Sequence, residues 1–375
     1  MVFEKSPRDR VADALAHRPG GIPIDFWAEG SVYESLQQAL GLGSREEVLR
    51  QFGADLRYYN GPPILAKRVP AWQEPRVKEA GDVQYDHWGV GRRQEHVTGT
   101  RRDGTNYTWD YHHLAHSPLA TAQSIEEIDA HPWPVADMWD FSGVAEACRA
   151  LRQAGYAVVA GADRLDRTAQ LKPAMYLRGT EQFLEDLMLQ PDLAECILEH
   201  IGDYYLAYNR RLFEAAAGEI DIFFMGDDFG TQQSTWVSLH DFRRFFGKRF
   251  AAYCGLAHEF GIKTMHHTCG YVMPLVEVFV ESGLDILQSL QPAAMGAYFK
   301  QLKGEFGKDL CFQGGIDIQH VLPHLSPEQV KEHVRQTAAL LGQGGGYIFG
   351  TAHNVLPDAP VENILALVEA YREFR

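Results

Sequence analysis

From Phe141 onward the chain alternates long amphipathic stretches with short, continuously apolar runs. The runs are Tyr156–Ala162, Ile220–Met225, Ile262–His266, Leu284–Gln288, Leu310–Gln313 and Gly346–Phe349. Runs of this length, bounded by turn residues, read as strands buried on both faces. Two more lie upstream, Ile22–Trp27 and Leu56–Tyr59. The amphipathic stretches read as helices, among them Val144–Ala154, Pro191–Ala217, Ser238–Glu259, Pro327–Leu341 and Pro360–Phe374. Ser6, Pro7 and Asp9 open the first helix, and Ser44 with Glu47 opens another in the same way. Eight apolar strands, each followed by at least one helix, predict a parallel sheet covered on its outer face. Eight such units are the count of a (β/α)8 TIM barrel. An open doubly wound sheet is the alternative, but no glycine-rich phosphate fingerprint follows the first strand.

One segment breaks the rhythm. Gly61 to Asp137 is rich in Trp, Tyr, His, Arg and Gly, in short alternating runs such as Asp82–Trp88 and Arg93–Val97. Arg101-Arg-Asp-Gly104 is a hairpin-type turn, and Pro132-Trp-Pro134 closes the segment. The expectation is a single barrel domain over residues 1–375, with 61–137 inserted as a β-hairpin excursion.

The chain has 375 residues, of which 45% are hydrophobic, enough to bury a large core. A formal net charge of -15 argues against a nucleic-acid or anionic-membrane surface. No apolar run is long enough to cross a bilayer, and Met1-Val-Phe-Glu-Lys5 lacks the pattern of a signal peptide. With five cysteines at no framework spacing, reduced thiols and a cytoplasmic location are expected.

In a barrel, residues just past the C-terminal strand ends converge on one face. Those positions carry Asp25, Asp227 and Asp228, His267 and Cys269, Gln291, Asp317 and Gln319, and His353. Few of these suit packing, and together they suggest a site. On an extended backbone, His267 and Cys269 point the same way. An imidazole beside a thiolate makes half of a tetrahedral zinc site. The same pair also describes a buried cysteine beside a hydrogen-bonded histidine, so a third ligand is needed. His353, in Gly350-Thr-Ala-His-Asn354, offers one across the barrel mouth, or else serves a loop hydrogen bond. Three ligands with a fourth position open is the catalytic pattern for zinc. His266 would point away from the site. His112, His113 and His116 read as solvated surface rather than a second metal site.

Several stretches together resemble the uroporphyrinogen decarboxylase superfamily. They are SPRDRVADALAHRPGGIPIDFW, GDDFGTQ, HHTCGYVMPLVEVFVESGLDILQSLQ, FGKDLCFQGGIDIQ and GGGYIFGTAHNVLPDAPVENILAL, spread over nearly the whole chain. The resemblance implies a (β/α)8 barrel. The arginine-rich N-terminal stretch of the true decarboxylases is replaced here by Ile22-Pro-Ile-Asp-Phe-Trp-Ala-Glu29, which argues against a porphyrinogen substrate. His267-Thr-Cys-Gly270 is similar to the zinc methyltransferase branch that works with corrinoid proteins, while His353 stands where that branch has cysteine. The resemblance implies a zinc-dependent methyltransferase that moves a methyl group between a small methylated, for example methoxylated aromatic, compound and a corrinoid carried by a partner protein. Asp227, Asp228, Gln291 and Gln319 would then orient the substrate, with Asp25 and Asp317 beside them. The rivals are a metal-free decarboxylase, with Asp25 or Asp227 stabilising a cation, and a binding protein on a degenerate barrel. A homodimer is as open as a monomer.

Overall fold

The computed structural model describes residues 5–65, 83–161 and 167–375. Seven parallel strands form the barrel wall. They are β1 (Leu56–Tyr59), β5 (Ala157–Ala160), β6 (Ile222–Gly226), β7 (Lys263–His267), β8 (Ile286–Leu290), β9 (Cys311–Ile316) and β10 (Tyr347–Thr351), hydrogen-bonded in that order. Between them in sequence, β2 (Val83–Tyr85), β3 (Gly91–Thr100) and β4 (Asn106–His116) make a separate antiparallel sheet. The fold is a (β/α)8-type barrel, and its eighth wall position belongs to Ile22–Trp27. That segment is not a full strand. Ile24 bridges Phe349 in parallel, Asp25 N–H donates to Phe349 O (2.8 Å), and Asp55 N–H donates to Ile24 O (2.9 Å). Pro23 has no N–H to give. Ile24 N–H donates to the Asp55 carboxylate (2.8 Å) instead of to a ladder carbonyl. Asp55 is fully buried, and Arg10 binds its other oxygen through Nε (3.0 Å) and Nη2 (2.5 Å).

Side chains alternate across the wall as the pleat requires. Leu56, Val159, Ile222, Phe224, Met265, Ile286 and Ile348 fill the interior, joined by Val11 and Ala14 of the helix Pro7–Leu15. The intervening positions, such as Phe223, Met225, Leu287 and Phe349, pack outward against the helices. Ser6 and Ser44 cap their helices by accepting from the N–H groups of Asp9 and Glu47. The stretch expected as one helix over Ser238–Glu259 is interrupted by a wide turn at Phe242–Gly247. There Phe242, Phe245 and Phe246 are buried together, and Gln170 Nε2 donates to the Phe246 carbonyl.

The antiparallel sheet turns at Arg101–Thr105, where Arg101 N–H donates to Thr105 O. Its base rests on the long helix Pro191–Ala216, with Trp88 against Tyr204 and Tyr205. Near its tip, Arg101 Nε donates to Pro357 O, in the loop after β10 (2.7 Å). The run beginning at Asp82 is described only from Val83, and 66–82 of the excursion lies outside the described residues. Among the described residues, no helix is long and apolar enough to cross a membrane.

Candidate functional site

The site starts from the parity of β7. Met265 and His267 face inward, while Thr264 and His266 face out. His266 lies among the rings of Phe229, Phe250 and Phe279, and burial holds its pKa well below the ordinary histidine range. It is a neutral packing residue. His267 stands at the inner C-terminal edge. Its partner across the ladder is Gly226, where a Cβ would sit 2.7 Å from the Cβ of His267, so only glycine leaves room.

His267 Nδ1 is hydrogen-bonded to Gln288 Oε1, from the paired residue of β8. Nδ1 therefore carries the proton, and the Nε2 lone pair faces Cys269 Sγ at 3.3 Å. The ring of His353, in the loop after β10, lies 5.7 Å from that of His267. The ligand atoms of His267, Cys269 and His353 all lie within 4.8 Å of one another. Two imidazoles and a thiol so spaced fit the donor set of a three-ligand zinc site. Gln288 supplies the outer hydrogen bond that fixes the tautomer of such a histidine. Burial, and then the Arg167 charge, lower the pKa of His267, which keeps the ring a lone-pair donor. Burial pushes the Cys269 thiol far up, so it keeps its proton until a cation stands beside it.

Two glycines bring the carrying loops together. A Cβ on Gly270 (φ +84°) would lie 2.4 Å from Gly230 C and Thr231 O, and one on Gly230 would lie 2.6 Å from Cys269 O. The loop after β6 and the loop after β7 thus touch backbone to backbone. They are joined by Asp227 N–H to His267 O (2.9 Å), Phe229 N–H to Thr268 Oγ1 (3.1 Å) and Tyr271 N–H to Thr231 O (2.7 Å).

The adjacent aspartates part company. Both oxygens of Asp227 accept backbone N–H groups, from Gln170, Leu171 (2.8 Å) and Lys172 (2.7 Å), at the start of the helix Leu171–Arg178. Burial still pushes Asp227 up to about 6. Asp228 faces the donor set. Its Oδ1 lies 3.4 Å from His267 Nε2 and accepts Cys269 N–H (3.1 Å), while Oδ2 pairs with Lys172 Nζ (3.0 Å). Burial works against its charge, but the Lys172 ammonium and the Cys269 amide outweigh it and hold the carboxyl well below the usual range.

The other predicted residues have varied surroundings. Asp25 is buried and accepts from Tyr58 Oη (2.5 Å) and Gln313 Nε2 (3.1 Å), and burial pushes it up to about 6. Gln291 Oε1 accepts Gly270 N–H (2.9 Å), bracing the Cys269 loop. Asp317 Oδ1 accepts the N–H groups of Gln319 (2.6 Å) and His320 (2.8 Å), closing a turn. Gln319 is exposed, with Gln232 Nε2 at 3.5 Å from its Oε1. His112, His113 and His116 lie on the exposed strand β4.

Lys172, Arg167, Gln288 and Tyr58 are not found by listing the polar residues after the fourth to eighth predicted strands. Tyr58 and Gln288 lie within strands, where only register brings them to the site. Lys172 belongs to the stretch after Tyr156–Ala162, and the cue there is a lysine in the first turn of a helix. Arg167 places its guanidinium 5.0 Å from the Phe224 ring.

The donor set sits on a fold that family models recognise. The uroporphyrinogen decarboxylase model matches residues 113–374. The chain belongs to the uroporphyrinogen decarboxylase family. A methylated-thiol–coenzyme M methyltransferase of Methanosarcina mazei is 28% identical over 206 residues, 55% of this chain and 52% of that protein. A uroporphyrinogen decarboxylase of Coxiella burnetii is 24% identical over 197 residues, 50% and 49% of the two chains. The chain spans about half the length of the curated relatives it matches. A solved methyltransferase from Methanosarcina mazei superposes with a TM-score of 0.65 at 18% identity, covering 99% of both chains. That likeness is one of fold.

Proposed function

We propose that this protein is a zinc-dependent methyltransferase that moves a methyl group between a small methylated compound, such as a methoxylated aromatic, and a corrinoid carried by a partner protein. The observation that carries the reading is the convergence of His267 Nε2, Cys269 Sγ and a ring nitrogen of His353 within 4.8 Å at the barrel mouth. The named methyltransferase among the relatives supports it. His267, Cys269 and His353 would hold the metal. Bound zinc supplies a Lewis acid that activates the heteroatom giving or receiving the methyl group. Gln288 holds the His267 tautomer, and Gln291 holds the Gly270 amide and with it the approach of Cys269. Asp228 and Lys172 present a paired carboxylate and ammonium beside the ligands, suited to orienting a polar group of the substrate. Asp25 would serve from the barrel interior. Compared with a second thiolate, His353 makes the donor set less negative and so favours a stronger Lewis acid.

The rival reading, a metal-free decarboxylase, has its support in the decarboxylase relatives and the buried carboxyl of Asp25. Metal content of the purified protein separates the two. About one zinc per chain is expected at the barrel mouth, and Cys269→Ser and His353→Ala should each lower the total zinc content by about that one equivalent with the fold intact. Full zinc occupancy in both variants would remove the proposed centre. Methyl transfer assayed with a corrinoid protein and a panel of methoxylated compounds then tests the reaction.

A further inference from the structure

A second group of metal-type side chains lies away from the barrel mouth. Cys196 and His200 are one turn apart on the helix Pro191–Ala216, so both project from the same face. Asp129, the last residue of the helix Ile125–Asp129, comes up to them. Asp129 Oδ1 is 3.5 Å from Cys196 Sγ and 2.7 Å from His200 Nε2, and the three ligand atoms lie within 4.8 Å of one another. The Trp133 ring stacks on the His200 ring, with centroids 4.4 Å apart and planes 9° from parallel. Trp133 is itself fixed by Nε1 donating to Ile128 O (3.0 Å). The imidazole plane is thus set by a neighbour that takes no part in the cluster.

We propose that Asp129, Cys196 and His200 bind a divalent cation of the zinc type and so clamp the helix Ile125–Asp129 to the long helix. Thiolate, imidazole and carboxylate are a donor mixture suited to zinc or cobalt. With metal–ligand bonds of about 2.0–2.3 Å, the edges of a tetrahedral site are roughly 3.3–3.5 Å. The Cys196–Asp129 separation already has that length. The His200–Asp129 separation must open by about half an ångström, which the Asp129 side chain, 55% exposed, can supply by rotation. On binding, the Cys196 thiol loses its proton to solvent and the thiolate takes the cation. The clamp would fasten the far end of the inserted segment to the helix whose Tyr204 and Tyr205 already hold Trp88 at its near end.

The clamp is independent of the reading given to the barrel mouth, and the test removes that centre first. The full chain carrying Cys269→Ser and His353→Ala is titrated with Co2+ and followed by absorbance. The expected result is one cobalt per chain, a thiolate-to-cobalt charge-transfer band and a raised melting temperature. Adding Cys196→Ser should abolish the band, and Asp129→Asn should weaken binding while keeping it. If Cys196→Ser does not fold, His200→Gln, at a partly exposed position, should show the same loss of cobalt affinity. No thiolate band in the double variant, or a band that survives Cys196→Ser or is indifferent to His200→Gln, overturns the proposal and leaves the three residues a hydrogen-bonded surface cluster.

Discussion

Asp227 and Asp228 are neighbours in sequence with different surroundings. Adjacent residues on an extended chain point opposite ways, so one carboxylate reaches the helix start and the other the donor set. Asp227→Asn exchanges an oxygen for an NH2 facing backbone donors, and near pH 4, where the buried Asp227 carboxyl is neutral too, the unsatisfied N–H should cost about 1–3 kcal/mol. Asp228→Asn keeps an acceptor for the Cys269 amide but loses the charge paired with Lys172. Its expected outcome is loss of methyl transfer larger than the fall in melting temperature from leaving Lys172 unpaired explains. Thermal unfolding and turnover measured on both variants check this, and wild-type turnover in Asp228→Asn would take the orienting role away from it.

Asp25 gives a pH prediction with a definite sign. Its folded pKa, about 6, lies above the unfolded value of about 3.9, so folding favours the neutral acid. That contribution is full below about pH 4 and is lost as the pH rises through 6. Asp25→Asn keeps an acceptor for Tyr58 and Gln313 without the buried charge. Denaturant unfolding should therefore find the variant equal to wild type near pH 4 and more stable at pH 8, by up to about 3 kcal/mol. A difference that does not change with pH would refute the assignment.

At the scale of elements, the contact between the loops after β6 and β7 is the most exacting feature. Gly270→Ala meets both a left-handed backbone and a carbonyl closer than van der Waals contact allows. It should cost more than about 2 kcal/mol. It should also displace Cys269, so that zinc retention falls further than stability alone explains. Metal analysis under conditions where the variant is still folded separates the two effects. The wall strands were legible because strands covered on both faces must be apolar throughout, as Ile222–Met225 and Ile286–Leu287 are. Helix starts were legible where a serine and an acidic residue stand three apart, as at Ser6 and Ser44. Ile22–Trp27 reads as a strand by apolarity, but Pro23 and the Asp55 carboxylate replace its ladder. The donor residues could be proposed from strand ends alone. Their support could not, because Gln288 and Lys172 reach the site through register and through a helix start supplied by another part of the chain. The Asp129 cluster was hidden for the same reason: its third member is 67 positions from Cys196.

For the whole molecule, the joints of the wall are not equivalent. Six are parallel ladders, from β1–β5 round to β9–β10. Among the described residues, the remaining two flank Ile22–Trp27: on one side the Ile24–Phe349 bridge, on the other the Asp55 amide and its carboxylate, held by Arg10. The loop that carries His353 is fastened to this same segment. Val355 N–H donates to Trp27 O (2.8 Å), Glu29 N–H to Val355 O (3.0 Å), and Asn354 Nδ2 to Glu29 Oε1 (2.6 Å). Opening the barrel along this seam therefore carries His353, one of the three proposed ligands, away from the other two. Cation release and seam opening become coupled equilibria, each drawing on the same free energy. In native-state hydrogen exchange, saturating zinc should slow deuteration of the Ile24, Asp25 and Val355 amides, while those deep in β7 and β8 change little. With zinc held as proposed, the metal would act as a latch on the wall as well as a reagent, and a chelator would be felt first at the seam.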